Sequence, residues 1–147
     1  MRRALASSFR FAYEGIAYCI KNERNFRIHL CAAFLAVVLG GILRINHTEF
    51  LALFLSIAFV LTAEMVNTAV EKAVDIVSPE YHPLAKIIKD VMAGSVLVSA
   101  LLSIVVGVLL FLRAERIFYC LYLLKSMPYL ILLLPVLAFG IYKFIKF

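Results

Sequence analysis

The chain has 147 residues, of which 65% are hydrophobic and 16% are charged. An ordinary soluble domain contains about 45–50% apolar and about 25% charged residues, so this composition excludes a disordered chain and indicates a membrane domain. Lysine and arginine total 15 against nine acidic residues, which gives a net charge of +6. Because most of these basic residues flank long apolar runs, they favour anchoring to anionic lipid, and no nucleic-acid partner is expected.

Several common kinds of site are absent from the sequence. The three cysteines form no CxxC motif and are interpreted as apolar filler, and the three histidines share no ligand spacing that predicts a soft-metal site. There is also no GxxxxGK(S/T), no GxGxxG and no Gly-x-Ser-x-Gly motif. These absences exclude a P-loop, a Rossmann nucleotide site and a hydrolase nucleophile elbow.

The first 27 residues are rich in arginine and aromatic residues. Phe9, Tyr13, Ile16 and Ile20 recur at helical spacing, which predicts an amphipathic helix on the membrane surface. A frayed cytoplasmic tail is the alternative.

The first long apolar run covers residues 28–43. Its 16 residues correspond to about 24 Å of helix, slightly less than the roughly 30 Å of a hydrocarbon core. The pair Gly40-Gly41 and the segment 46–48 are expected to form the turn that follows.

The second run starts at Phe50, is free of charge until Glu64, and continues as a helix with acidic residues to about residue 77. Pro79 and Pro83 are expected to break this helix. The third run, residues 91–112, contains 22 uncharged residues and is the clearest predicted span. A stripe of small residues along it predicts close helix packing. The stripe consists of Gly94, Ser95, Ser99, Ser103 and Gly107.

A fourth segment, residues 127–142, is also predicted to span the membrane, with a kink at Pro135. Residues 117–124 either extend it or run along the interface. Four spans put both termini on one side, and a cytoplasmic amino terminus places eleven basic residues inside and four outside. The positive-inside rule favours this orientation, in which the loop at 72–90 faces cytosolic nucleotides.

Three carboxylates and an amide are expected on one face of the second helix. Glu64, Asn67, Glu71 and Asp75 fall within about 80° of one another at 100° per residue. Acids in or near a span are costly and usually face a cavity or a partner. The alternative is a solvated helix end that is merely rich in charge.

Further polar residues lie at the same predicted membrane level. Glu23 precedes the first span, and Lys89 and Asp90 open the third. The cytoplasmic ends of three helices therefore bring these side chains toward the acidic face. An oxygen-rich site of this kind suits Mg²⁺, which binds one or two carboxylates together with phosphate oxygens and water.

Two other classes of protein are open at this point, an ion-coupled transporter and a structural membrane module. A transporter predicts acids near the midplane of several spans. Here every acid except Glu49 and Glu115 lies on the predicted cytoplasmic side. This distribution favours a reaction site that is open to nucleotide.

The spaced motifs resemble those of the prokaryotic diacylglycerol kinase family, which are small integral-membrane lipid kinases. The matching motifs are Asn22-Glu23-x-x-Phe26-Arg27, Glu64-x-x-Asn67-Thr68-Ala69-x-Glu71-x-x-x-Asp75, Glu80-Tyr81-His82 and Lys89-Asp90. The resemblance covers about residues 8–112. The segment 22–29 looks most like the Gram-positive branch, whose members act chiefly on undecaprenol.

This resemblance implies roles for individual residues. Glu64 is expected to be the general base, and Glu23 and Glu71 are expected to hold Mg²⁺ with the phosphates of ATP. The expected ATP-binding residues are Arg10, Glu23, Glu71, Glu80, Tyr81, His82, Lys89 and Asp90. The expected substrate-binding or orienting residues are Glu64, Asn67 and Asp75.

The prediction is an all-α membrane protein with an amphipathic surface helix, three core transmembrane helices and a fourth at the carboxyl end. Residues 1–112 form the kinase domain, and residues 113–147 form an extension that departs from the family. The resemblance implies a homotrimer in the bacterial plasma membrane, with a shared active site that faces the cytoplasm.

The expected reaction is ATP- and Mg²⁺-dependent phosphorylation of undecaprenol to undecaprenyl phosphate. The alternative substrate is diacylglycerol, which would give phosphatidic acid. An apolar wall around Glu64 favours the polyprenol, because such a wall holds chains but discriminates poorly between headgroups. Its expected members are Phe26, Ile28, Leu61, Met65 and Val91.

Overall fold

The computed structural model describes residues 2–127 and 130–147 of the chain, and within them the secondary structure is entirely helical. The prediction of an all-α protein is therefore confirmed. The helices are α1 (Arg2–Asn22), α2 (Arg24–Ile42), α3 (His47–Val77), α4 (Pro83–Phe111), α5 (Ala114–Ser126) and α6 (Leu130–Lys146).

Three of these helices, α2, α3 and α4, are long and apolar enough to cross a membrane. They contain the three predicted core spans. The predicted fourth span at 127–142 is not confirmed: Met127 closes α5, residues 128 and 129 lie outside the described residues, and α6 begins only at Leu130. With 17 residues, α6 is about 26 Å long, and it packs against α2.

A single residue separates α1 from α2. Glu23 has φ −108° and ψ 110°, an extended conformation between two helical segments. The backbone N–H of Glu23 still donates to the carbonyl of Cys19 at 2.9 Å, so the break changes the direction of the chain with little loss of hydrogen bonding. This break places the candidate metal ligand Glu23 at the corner between α1 and α2.

The expected turn at Gly40-Gly41 is wrong, because α2 continues to Ile42. The turn lies four residues later, where Arg44 adopts a left-handed conformation with φ 51°. Gly40 instead serves close packing. A Cβ at Gly40 would lie 2.9 Å from Cδ1 of Ile45 and 3.2 Å from Cε1 of Phe50.

The first turn of α3 is fixed by a reciprocal pair of hydrogen bonds. Oδ1 of Asn46 accepts from the N–H of Glu49 at 2.9 Å, and the N–H of Asn46 donates to Oε2 of Glu49 at 2.9 Å. This is a capping box, which satisfies two backbone donors at the start of a helix.

Glu49 also joins the start of α5 to α3. Arg113 Nη1 lies 3.1 Å from Oε1 of Glu49, and Arg116 Nη2 lies 2.5 Å from Oε2. Arg116 additionally donates to the carbonyl of Leu110. At this predicted outer end the buried carboxylate of Glu49 neutralises two arginines of the extension, the half-buried Arg116 and the exposed Arg113, which explains why an acid appears there.

The central pair of the bundle is α3 against α4. Pro83 is the first helical residue of α4, so the predicted break between these two helices is confirmed, and the loop lets α4 fold back along α3. Along the interface Ser103 Oγ donates to the carbonyl of Ser56 at 3.2 Å, and Ser99 is buried. Part of the predicted small-residue stripe is therefore used inside the chain.

Candidate active site

Glu64 lies at the centre of the site, in the middle of α3, with only 3% of its surface exposed. His29 projects from α2, and its Nε2 lies 3.2 Å from Oε1 of Glu64. Oε1 nevertheless accepts no aligned hydrogen bond from the described residues. The contact is therefore close but leaves that oxygen able to accept a proton, as a general base requires.

Two further carboxylates act electrostatically on Glu64, namely Glu23 and Glu71. Glu23 comes from the break between α1 and α2, and its side chain makes no capping bond to α2. Glu71 lies two helical turns beyond Glu64 on α3. Two distant segments thus bring three acids to one place, because α2 and α1 both pack against α3.

The amide of Asn67 is oriented by one of these acids. Asn67 Nδ2 donates to Oε1 of Glu71 at 2.9 Å, while Oδ1 of Asn67 is buried and accepts no hydrogen bond. A buried acceptor without a donor is costly in a finished structure. The amide oxygen is therefore an unsatisfied acceptor within the site.

A buried thiol and a buried hydroxyl lie close to the acids of the site. Cys19 of α1 contacts Thr68 of α3, and both are buried. Burial raises the pKa of the Cys19 thiol, and the charges of Glu23 and Glu64 raise it further. Cys19 therefore remains neutral and packs as a small apolar group, as the sequence indicated.

Lys89, the predicted phosphate contact, and Asp90, the predicted nucleoside contact, are each engaged in an ion pair. Lys89 Nζ lies 2.5 Å from Oδ1 of Asp75, which links the start of α4 to the end of α3. Lys86 Nζ lies 2.6 Å from Oδ2 of Asp90, one turn away on α4. All four side chains are more than one third exposed. Exposed pairs of this kind contribute little to stability, so their charges can change partners at small cost.

The remaining predicted ATP-binding residues lie on α1 and in the loop between α3 and α4. Arg10 pairs with Glu14 of its own helix at 3.4 Å, with both side chains exposed. Tyr81 is 80% exposed in the loop between α3 and α4. His82 caps α4 through Nδ1, which accepts from the N–H of Leu84 at 3.2 Å. Glu80 lies in the same loop, where its carbonyl accepts from Ser78 Oγ.

Sequence reasoning missed His29 because it sought histidines only as metal ligands. The signal was present, since His29 is the one histidine within the apolar run 28–43. A polar side chain inside a span is expected to face a partner. The same reasoning placed Arg27 in a family motif but gave it no role, although it is 6% exposed and donates to three backbone carbonyls.

An apolar groove leads away from the site between α2, α3 and α4. It starts at His29, ends at Phe111 near the opposite end of the bundle, and has a volume of about 280 Å³. Its lining includes two hydroxyls, and both are already used: Ser56 Oγ donates to the carbonyl of Leu53, and Ser103 Oγ donates to that of Ser56. Of the expected apolar wall, Leu61 lines this groove, whereas Phe26 is buried at 3% exposure.

A comparison with protein-family models matches residues 10–111 to the prokaryotic diacylglycerol kinase family. The chain belongs to this family. It is therefore a membrane lipid kinase, and the match ends where α4 ends. The helices α5 and α6 lie beyond the matched segment, as the resemblance at the sequence level indicated.

Individual relatives carry two different activities in their names. The chain is 39% identical to the undecaprenol kinase of Bacillus subtilis over 105 residues, which is 71% of this chain and 85% of the relative. It is 38% identical to a diacylglycerol kinase of Synechocystis over 70% of this chain and 59% of the relative. It is 30% identical to the diacylglycerol kinase of Escherichia coli over 65% of this chain and 78% of the relative.

We expect His29 to be a positioning residue for the carboxylate of Glu64 in this lipid kinase. Replacing His29 with phenylalanine leaves the buried Glu64 carboxylate without its neighbouring imidazole, and an unsatisfied buried polar group costs about 1–3 kcal/mol, so kcat should fall roughly 10- to 100-fold. The KM for ATP should change little. Turnover by the purified variant in micelles measures both constants.

The conservative change His29→Gln keeps a donor near Glu64 and should recover most of the lost rate. A purely structural role for His29 predicts instead that both variants lose activity in proportion to their thermal stability. Equal turnover of His29→Phe and the wild type would remove His29 from the site.

Proposed function

We propose that this kinase transfers the γ-phosphoryl group of ATP to the hydroxyl of undecaprenol. The observation that carries the proposal is the buried carboxylate of Glu64. Its Oε1 atom lies beside His29 and accepts no hydrogen bond from the described residues, and two further acids lie within electrostatic range. The lipid oxygen forms a bond to the γ-phosphorus while the bond between that phosphorus and the bridging oxygen of ADP breaks. The hydroxyl proton passes to the carboxylate of Glu64, and the products are undecaprenyl phosphate and ADP.

Phosphoryl transfer places particular demands on the protein, mainly alignment and the neutralisation of charge. Glu64 is immobilised by its position in α3 and by burial, so its carboxylate needs little reorganisation to receive the proton. Asn67 has an unpaired amide oxygen that suits a hydroxyl donor. We assign Asn67 to orienting the substrate, together with Asp75 at the mouth of the site.

The residues of the site fit Mg²⁺. Glu23 and Glu71 supply hard carboxylate oxygens, and Glu23 is not engaged in capping its helix. No group of three ligand side chains among the described residues is spaced to hold an ion by itself, and Mg²⁺ in nucleotide sites typically binds one or two carboxylates plus phosphates and water. We propose that Glu23 and Glu71 hold the ion. When bound, Mg²⁺ neutralises charge on the phosphates of ATP.

The cations at the start of α4 suit the phosphates of ATP. Lys89 is exposed, and its bond to Asp75 can be exchanged for a bond to a phosphate oxygen without a large loss of stability. We propose Lys89 as the phosphate contact and Asp90 as a contact to the nucleoside. The remaining proposed nucleotide contacts are Arg10, Glu80, Tyr81 and His82.

The preference for a polyprenol follows from the groove that begins at His29. Diacylglycerol carries two ester carbonyls beside its hydroxyl, and a site that selects it benefits from donors directed at those carbonyls. In this groove Ser56 and Ser103 already donate to backbone carbonyls. The remaining lining is apolar except for His29, which suits the branched hydrocarbon chain of undecaprenol.

The substrate preference predicts a higher kcat/KM for undecaprenol than for diacylglycerol, with measurable activity on the second lipid. The two should be compared in one detergent at equal mole fraction, because both partition into micelles. The factor is expected to be about 10- to 200-fold, the range that apolar pockets usually achieve. A preference for diacylglycerol would reassign the substrate and leave the kinase chemistry unchanged.

A groove between α3 and α4 favours assembly into an oligomer. It has a volume of about 510 Å³, and Gly94 lies at its edge with Val91 and Val98 exposed beside it. We propose a homotrimer in which a second chain covers this face, as the family resemblance implies. Close approach of helices at glycine is a common mode of association in membranes.

The assembly is tested by Gly94→Leu. Within one chain a Cβ at Gly94 meets no atom within 4 Å, so the change should leave the fold intact but shift the trimer toward monomer. Cross-linking in native membranes measures the shift. Gly41→Leu is the matched control, because Gly41 also has open space but lies outside the groove. Unchanged cross-linking of Gly94→Leu, or only monomer in the wild type, would contradict the assembly.

We further propose that the acidic site faces the cytoplasm and that α1 lies on that membrane surface. Phe9, Tyr13 and Ile16, which share one face of α1, are all exposed, as expected for a helix whose apolar side meets lipid. Residues 1–112 then form the kinase domain, and residues 113–147 form an extension whose α6 runs beside α2 as a fourth membrane helix.

A further inference from the structure

The extension creates a groove that the kinase domain alone would not have. Where α6 packs on α2, next to the carboxyl end of α1, the structure contains a groove of about 470 Å³. Its lining includes Lys21 of α1, Arg27 of α2 and three residues of α6, namely Gly140, Lys143 and Phe144. The groove lies on the face of α2 that packs against α6, whereas His29 of the active site lines the groove shared with α3 and α4.

Arg27 forms the buried end of this groove. Its Nη1 donates to the carbonyls of Ile20 at 2.9 Å and Lys21 at 3.1 Å, and its Nη2 donates to the carbonyl of Ile145 at 3.3 Å. Its Nε is buried and has no acceptor. Arg27 takes part in none of the ion pairs found within residues 2–127 and 130–147. A guanidinium that is 6% exposed and bonded only to neutral carbonyls favours an anion nearby.

The charged groove continues into an apolar one along the membrane. A second groove of about 510 Å³ lies between Leu30 and Phe34 of α2 and Val136 of α6, and it shares Gly140 and Phe144 with the first. The two grooves adjoin at these shared residues and together form a path with cationic residues at one end and an apolar lining along the rest. A free phosphate would use only the charged end, whereas a lipid uses both.

We propose that this path binds an anionic phospholipid. Its phosphate lies among Lys21, Lys143 and the Nε side of Arg27, and one acyl chain lies between α2 and α6. Charge complementarity selects the headgroup, since three cationic side chains line the charged end. The juxtaposition of lysines with an apolar surface is the usual basis of attraction to anionic lipid. The proposal does not require the kinase reaction.

The test is lipid binding by the full chain in a neutral detergent, followed by native mass spectrometry. Dioleoylphosphatidylglycerol is the anionic probe, and dioleoylphosphatidylcholine is the comparison with the same chains. We expect the wild type to bind the anionic lipid about tenfold more tightly. The double variant Lys21→Gln/Lys143→Gln should bind both lipids alike. Gly140→Leu should weaken both, because its Cβ has open space in the groove.

Matched controls separate this site from general surface charge. The double variant Arg44→Gln/Lys125→Gln removes the same net charge outside the groove. Gly41→Leu adds a leucine on α2, also outside the groove, and is the control for Gly140→Leu on α6. Both controls should retain the preference for the anionic lipid over the neutral one. The proposal is overturned if the charge control loses binding equally, if Gly140→Leu binds as the wild type does, or if millimolar inorganic phosphate displaces the lipid. Because the readout is binding, an inactive kinase would not affect the result.

Discussion

Replacing Glu64 with glutamine is expected to reduce kcat by about 10²- to 10⁴-fold, the usual contribution of a general base. Glutamine has nearly the same size and keeps a group near His29, but it cannot accept the hydroxyl proton. Binding of ATP should change little, because the proposed nucleotide contacts lie elsewhere. Turnover in micelles and an independent measurement of ATP affinity test both parts of the expectation.

The control for this change is Glu14→Gln, which removes a carboxylate that is exposed on α1 and pairs with Arg10. It should leave the rate within about twofold of the wild type, as surface substitutions usually do. Near wild-type turnover in Glu64→Gln would assign the base to another residue. An equal loss in both variants would indicate a general effect of net charge.

The second expected result concerns Glu23 and Glu71. Glu23→Gln or Glu71→Gln should raise the Mg²⁺ concentration needed for half-maximal rate by about tenfold each, because each change removes one anionic oxygen ligand. The structure supports a shared ion, since both carboxylates act on Glu64 although they lie 48 residues apart in sequence (71 − 23). Titration of the initial rate with Mg²⁺ at fixed ATP measures the effect.

The double variant distinguishes one ion from two independent effects. Residues that hold the same ligand show losses that are less than additive in free energy, whereas distant independent sites add. We expect the double variant to need only slightly more Mg²⁺ for half-maximal rate than the more strongly affected single variant. Glu115→Gln is the matched control, because this acid lies in the first turn of α5, has no proposed role in the site and should not alter the Mg²⁺ requirement. Fully additive losses would contradict a shared ion.

Much of the site could be predicted because it lies along one helix. The spacing from Glu64 to Asp75 fixes a common face for any α-helix, since each residue advances about 100°. The structure accordingly buries Glu64 and bonds Asn67 to Glu71. The breaks at Pro79 and Pro83 were equally local, because proline cannot continue a helix from the preceding turn.

The contacts between helices could not be predicted in the same way. Periodicity gives the apolar face of each helix but not the partner that covers it. His29 meets Glu64 only because α2 packs at one particular rotation against α3. Similarly, Lys89 pairs with Asp75 because the loop at Pro83 returns α4 alongside α3, and this pairing occupies two residues that the sequence assigned separately to phosphate and substrate.

The sequence by itself determined that this protein is an all-helical membrane protein with an acidic face at the end of its second span, and its spaced motifs resemble those of a lipid kinase family. Composition, the spacing of side chains and helix-breaking residues are properties of short segments, so they can be interpreted without knowledge of the fold. Only the tertiary structure decided that Gly40 serves packing and not a turn, and that Arg27 joins α1 and α6. Both outcomes depend on atoms brought together from different helices, where close packing and unmet hydrogen bonds select the arrangement.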